Sequence, residues 1–311
     1  MFCSRNKKMP SFVRDASVVW RHLRGLVCVY KPKEMTTNQV RRTMIGNLCR
    51  DLNSMDQRAV SQRCVLLTTG DGRLQPRLIP SYADKITCVG PRYQPRDFKC
   101  LVAGKLGINT SGVLVLGINF GGTRMALDLL QQPEFRVFQV SGRLGRATDS
   151  GWADQGKATM RANFHHVPRE AMERVLASTQ ASHQRQAFLF AGVNPQSQQA
   201  YEMASAGLVK PVNAKAPLIY SARCVNFEPP DFTLEVQSIG EDEEYLLDFV
   251  AEVGRRVRSV AACTNIRCIR HSSFSVEAAL AHNHWTVEHI VDNMRLCNEL
   301  YAKQTPKEIT A

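Results

Sequence analysis

Three observations predict an α+β fold. Short β-branched apolar runs and amphipathic stretches follow one another in irregular order, not as a regular strand–helix alternation. The chain has 311 residues, 44% of them hydrophobic, enough to bury a sizeable core. Neither an internal repeat nor an apolar run approaching the roughly 18 residues of a membrane span is present, so a soluble chain without a membrane partner is expected.

Leu26 to Tyr30 is an apolar run closed by Lys31-Pro32, a buried strand entering a turn. Residues 36–52 carry Val40, Met44 and Leu48 at four-residue spacing and predict a helix. Residues 53–97 are polar and broken by Pro, Gly and Arg, which predicts loops with short strands. Val113 to Leu116 is a strand core. The Gly-rich 117–122 that follows lacks phosphate-loop spacing and reads as a turn before a helix. Phe135 to Leu144 predicts a strand, and residues 168–179 a helix opened by Pro168. Residues 185–191, 217–227 and 231–239 read as strands, with a short helix over 197–206 between the first two. In 243–258, Tyr245, Phe249, Val253 and Val257 recur every four residues and Leu246 and Val250 widen the stripe, an amphipathic helix. Helices near 276–282 and 286–303 close the chain. The last, with Ile290, Met294 and Leu300, is expected to pack on its own domain, docking onto a protein partner being the alternative.

The formal net charge is +12, which points to a polyanionic partner, nucleic acid first. Between Val253 and Val276 stand five arginines (255, 256, 258, 267, 270) and no acid, a candidate RNA-facing segment. The 10 cysteines are scattered, none in C-x-x-C, and Cys263 and Cys268 lack a second pair to complete a zinc site. A reducing compartment with neither disulfides nor metal is expected. Residues 1–24 hold six Lys/Arg and one acid, Asp15, as a mitochondrial transit peptide or a basic RNA-contacting arm would.

Six segments in order carry a family resemblance. They are Gly25 to Pro32, Ser111 to Gly117, Val140 to Asp149, Tyr201 to Ala204, Gly207-Leu208, and Val260 to Ala279. Residues 25–281 thereby resemble the TruB family of pseudouridine synthases, most closely its short mitochondrial branch in animals, which lacks the C-terminal PUA domain. The resemblance implies the pseudouridine synthase catalytic fold: a central, mixed, mostly antiparallel sheet with flanking helices and an RNA-binding cleft, residues 282–311 being a helical extension. It also implies base flipping and isomerisation of a uridine without any cofactor.

That reaction needs a carboxylate, a cation to hold it, and an aromatic ring to stack on the flipped base. By the resemblance these belong at Gly107 (in Lys105-Leu106-Gly107), Leu247 and Phe138. Glycine and leucine cannot do the chemistry, and phenylalanine keeps stacking but not the hydroxyl. No Asp or Glu lies between Asp97 and Asp128, and Arg255, eight residues past Leu247, is about 12 Å further along a helix. The expectation is a catalytically inactive homologue that binds structured mitochondrial RNA in the matrix. Ribosomal RNA during large-subunit assembly comes first, tRNA or mRNA second, with ribosomal or assembly-factor proteins as partners. Its candidate RNA contacts are Lys31, Lys99, Lys105, Arg136, Phe138, Arg143, Arg255, Arg256, Arg258, Arg267 and Arg270. The alternative is an active synthase using a carboxylate from elsewhere, Asp97 or Asp128 being nearest in sequence.

Overall fold

A computed structural model describes residues 15–56, 60–68, 70, 72–131, 135–206 and 217–304. In chain order they form α1 (Ala16–His22), β1 (Gly25–Lys31), α2 (Thr37–Ser54), β2 (Gln62–Thr68), β3 (Leu74–Pro80), α3 (Ile86–Val89), β4 (Cys100–Val102), β5 (Thr110–Ile118) and α4 (Asn119–Gln131). Then come β6 (Arg136–Leu144), β7 (Arg146–Thr148), β8 (Ala158–Arg161), α5 (Arg169–Phe190), α6 (Gln198–Ala206), β9 (Leu218–Glu228), β10 (Asp231–Ile239), α7 (Glu243–Arg256), β11 (Ala261–His271), β12 (Phe274–Ser275) and α8 (Val287–Gln304). The Gly207-Leu208 motif and residues 1–14 of the basic N-terminal stretch lie outside the described residues.

The central sheet has eight strands, ordered β1-β5-β11-β6-β10-β9, with β4 added to β5 and β12 to β11. Every pairing is antiparallel except β11 with β5. The expected α+β architecture is therefore the observed one. Strand β5 is buried at all nine positions, so both faces of the sheet are covered there. At Gly112 (φ +117°) the backbones of β5 and β11 approach so closely that a Cβ would overlap Cys268, which leaves no room for a side chain.

Helix α8 belongs to this core. Ile290, Met294 and Cys297 are buried in the same cluster as the sheet. Asn293 and Asn298 reach the outer edge of β1, where their Oδ1 atoms accept from Cys28 N (2.8 Å) and Leu26 N (3.0 Å). Tyr30 N donates to the Leu280 carbonyl (2.9 Å), so the edge strand's outward donors are met by two side chains and one backbone oxygen. Helix α1 is also built in, with Ala16 and Leu23 fully buried, so removing the chain as far as Arg24 would strip core residues.

One difference from expectation has a physical cause. Residues 185–191 continue α5 and do not form a strand. The run Phe188-Leu189-Phe190 is too short to separate helix from strand by periodicity, and the long helix that buries Met172, Leu176, Thr179 and Ala187 decides it. The short strands expected within 53–97 are present, paired as a separate hairpin, β2–β3, outside the main sheet. Its Leu66, Leu74 and Leu78 are more than 60% exposed.

Candidate active site

The loop between β4 and β5, residues 103–109, carries Gly107 and is fixed from below by Lys31. That side chain, at the end of β1, is fully buried and donates to the carbonyls of Thr110 (2.7 Å), Ile108 (3.0 Å) and Pro32 (3.1 Å). Burial pushes its ammonium down to about 8, opposed in part by nearby Glu243. Lys31 is therefore a correction to the expected phosphate contacts: its three donors are spent inside the fold.

Gly107 faces the first turn of α7. A Cβ built there would overlap the carboxylate of Glu243 and crowd its Cβ. That carboxylate is held in place, with Oε2 accepting from Thr110 N (2.9 Å) and Thr110 Oγ1 (2.7 Å). The helix is started by Asp242, whose side chain accepts from Tyr245 N (2.8 Å). One turn on from Glu243, Leu247 packs toward Gly151 and the core. Glu243 and Leu247 share a face of α7, as their four-residue spacing requires.

Phe138 lies on β6 between Val236 and Cys268 in register and is 2% exposed. The Arg136 guanidinium sits over its ring, 5.7 Å from the centroid. Arg136 in turn forms an ion pair with fully buried Glu241 (2.6 Å), and donates to the Glu241 carbonyl (2.8 Å) and the Lys105 carbonyl (2.9 Å). Burial raises the Glu241 carboxyl, opposed by the Arg136 charge. Phe138 as an accessible stacking surface is thus a second correction, because the sheet and Arg136 enclose it. Buried His271, whose ring abuts Gly104, is pushed down to about 3 by burial and by Arg136, which keeps it neutral.

The remaining candidate cations do not form one cluster. Lys105 is exposed on the loop, two residues before Gly107, and Arg267, at the register of Ser111, lies over the Tyr30 ring at 5.4 Å. Arg270, also exposed, stands opposite Val137. Lys99 is exposed at the far end of β5, beside Asn119. Arg143, seven residues along β6 from Arg136 and so about 23 Å away, pairs with Asp231 at 2.7 Å. Arg255 and Arg256 both bind Glu252 (2.7 and 2.9 Å), an acid one residue before the acid-free segment begins. Arg258 is exposed beyond the helix end.

Sequence reasoning missed Glu241 and Glu243. The acids nearest Gly107 in sequence are engaged elsewhere: Asp97 caps a turn at Gln94 N (2.8 Å) and Asp128 accepts from Tyr301 (3.2 Å). The signal was the acidic run Glu241-Asp242-Glu243-Glu244 at the start of the predicted helix, one turn before Leu247.

This sheet, with a loop and a helix start converging on one floor, is the architecture of a pseudouridine synthase. Residues 96–241 match the model of the TruB family pseudouridylate synthase N-terminal domain. The chain is 34% identical over 286 residues to a Xenopus tropicalis protein named pseudouridylate synthase TRUB2, mitochondrial, covering 90% of this chain and 87% of that one. It is 32% identical to the human protein of the same name over 295 residues, 93% of this chain and 88% of that one. Among solved structures, an archaeal box H/ACA Nop10–Cbf5 complex matches 97% of this chain and 70% of that chain with a TM-score of 0.51 at 12% identity, a likeness of fold. The chain belongs to the TruB family of pseudouridine synthases.

Proposed function

We propose that this chain is a catalytically inactive TruB-type protein that holds structured mitochondrial RNA, ribosomal RNA during large-subunit assembly before tRNA or mRNA. One observation carries the reading: at Gly107 the floor has no side chain, and the room for one is filled by Glu243. Leu247 supplies no cation to hold a carboxylate there, which agrees with a site out of catalytic use. RNA binding and a mitochondrial location follow from the family and from the relatives' names, and the net charge of +12 supports the first. Purified protein incubated with uridine-labelled organellar RNA should form no pseudouridine, and pseudouridine formed at a rate above a no-protein control overturns the inactive reading.

A second reading, an active synthase, draws on the same residue. A carboxylate does stand beside Gly107, and it comes from Glu243, not from Asp97 or Asp128. If product forms in that assay, Glu243→Gln should abolish it while the protein still melts cooperatively.

A further inference from the structure

We propose that the nucleotide pocket is shut by this chain's own side chains, so that RNA is held on the cleft with its bases left in the stack. The inference rests on the RNA-holding reading above and specifies the form of RNA the cleft accepts. A base leaving a helix needs an empty slot and a ring to stack on. Here both are occupied.

The space beside Gly107, which a flipped base would have to approach, is taken up by Glu243, whose side chain leaves no room for even a Cβ there and whose carboxylate is tied to Thr110 by two hydrogen bonds. The loop cannot easily swing away, because Lys31 grips the carbonyls of Ile108 and Thr110 beneath it. The ring is Phe138, 2% exposed, with the Arg136 guanidinium across it. Uncovering the ring means withdrawing Arg136 from the buried carboxylate of Glu241 and from the Lys105 carbonyl. That move would strand a charge in the interior, which a loosely bound nucleotide does not offset. Arg136 also links the two closures, since Glu241 and Glu243 sit two residues apart at the start of α7 and Lys105 sits two residues before Gly107.

The test uses the full chain and a stem–loop RNA with 2-aminopurine beside its loop uridine. Anisotropy reports binding, and fluorescence intensity reports loss of stacking. The expected result is a rise in anisotropy with intensity unchanged, and a several-fold intensity rise on wild-type binding overturns the proposal. Arg136→Ala with Glu241→Gln and Glu243→Ala should open both the ring and the space beside Gly107, so that intensity rises on binding, and an unchanged intensity in this variant overturns the proposal.

If anisotropy does not change, the RNA-holding reading fails for this RNA, and closure is then judged without RNA. Gly107→Ala should lower the melting temperature of the wild type and lower it much less when Glu243→Ala is also present. An equal drop in both backgrounds overturns closure.

Discussion

Lys31 shows how a charged residue can be misread from sequence. Its place after a strand and before proline suits an exposed turn, yet the turn folds back so that three carbonyls converge on the ammonium. Their direction is set by the tertiary packing of the 103–109 loop, which no local pattern encodes. The consequence for stability has a definite sign. The folded state holds the ammonium at about 8 against 10.5 in the open chain, so between those values the unfolded chain binds more protons. Lys31 therefore costs stability below about 8, and the cost falls as pH rises toward 10.5. Buried Cys268 and Cys263, raised to about 12, act in the opposite direction above 9 and must be subtracted. The urea midpoint of the wild type minus that of Lys31→Met should thus increase between pH 8 and pH 10. A flat difference would mean that Lys31 titrates as in the open chain.

At the scale of elements, the start of α7 is where the site is assembled. Asp242 caps the helix, Glu243 enters the Gly107 slot, and Glu241 receives Arg136 from β6. The helix itself was legible: its four-residue apolar stripe gave residues 243–258 against the observed Glu243–Arg256. Strands β1, β5, β6, β9 and β10 were likewise readable, because each is a sufficiently long apolar or alternating run. What could not be read was which acid on the helix start meets which partner, since that depends on how α7 is rotated against β11. The Arg136–Glu241 pair joins three elements and should behave as a buried ion pair. Arg136→Met is expected to destabilise by about 3 kcal/mol, while Arg136→Met with Glu241→Met recovers most of the loss. Urea denaturation of the four proteins of this cycle measures it, and additive losses would show the two residues to be uncoupled.

For the whole molecule, the charge balance was legible from composition and its placement was not. The arginines of 255–270 looked like a single basic face because no acid interrupts them. Folding sends Arg255 and Arg256 to Glu252 and gives Arg143 to Asp231, so a smaller set, including Lys105 and Arg270, is left to face a polyanion near the loop. Fewer phosphate contacts mean a shallower salt dependence. Binding of a structured RNA should weaken with salt with a log–log slope of magnitude about 3 to 5, below the 6 to 10 contacts of a fully engaged basic face. Titration by anisotropy across a range of potassium chloride concentrations tests this, and a slope near zero excludes an electrostatic mode.

Under the proposed inactive reading, the Glu243 side chain also bears on whether an aspartate at position 107 would be accommodated. Putting aspartate back at Gly107 is a single substitution on paper, but the new side chain would collide with a carboxylate already bonded to Thr110 and add a second negative charge beside it. The first step back would thus be uphill unless Glu243 is shortened beforehand, a change that by itself restores no chemistry and gives up two hydrogen bonds. Under that reading the packing acts as a ratchet: an aspartate at position 107 is admitted only after Glu243 has been shortened, two changes in a set order.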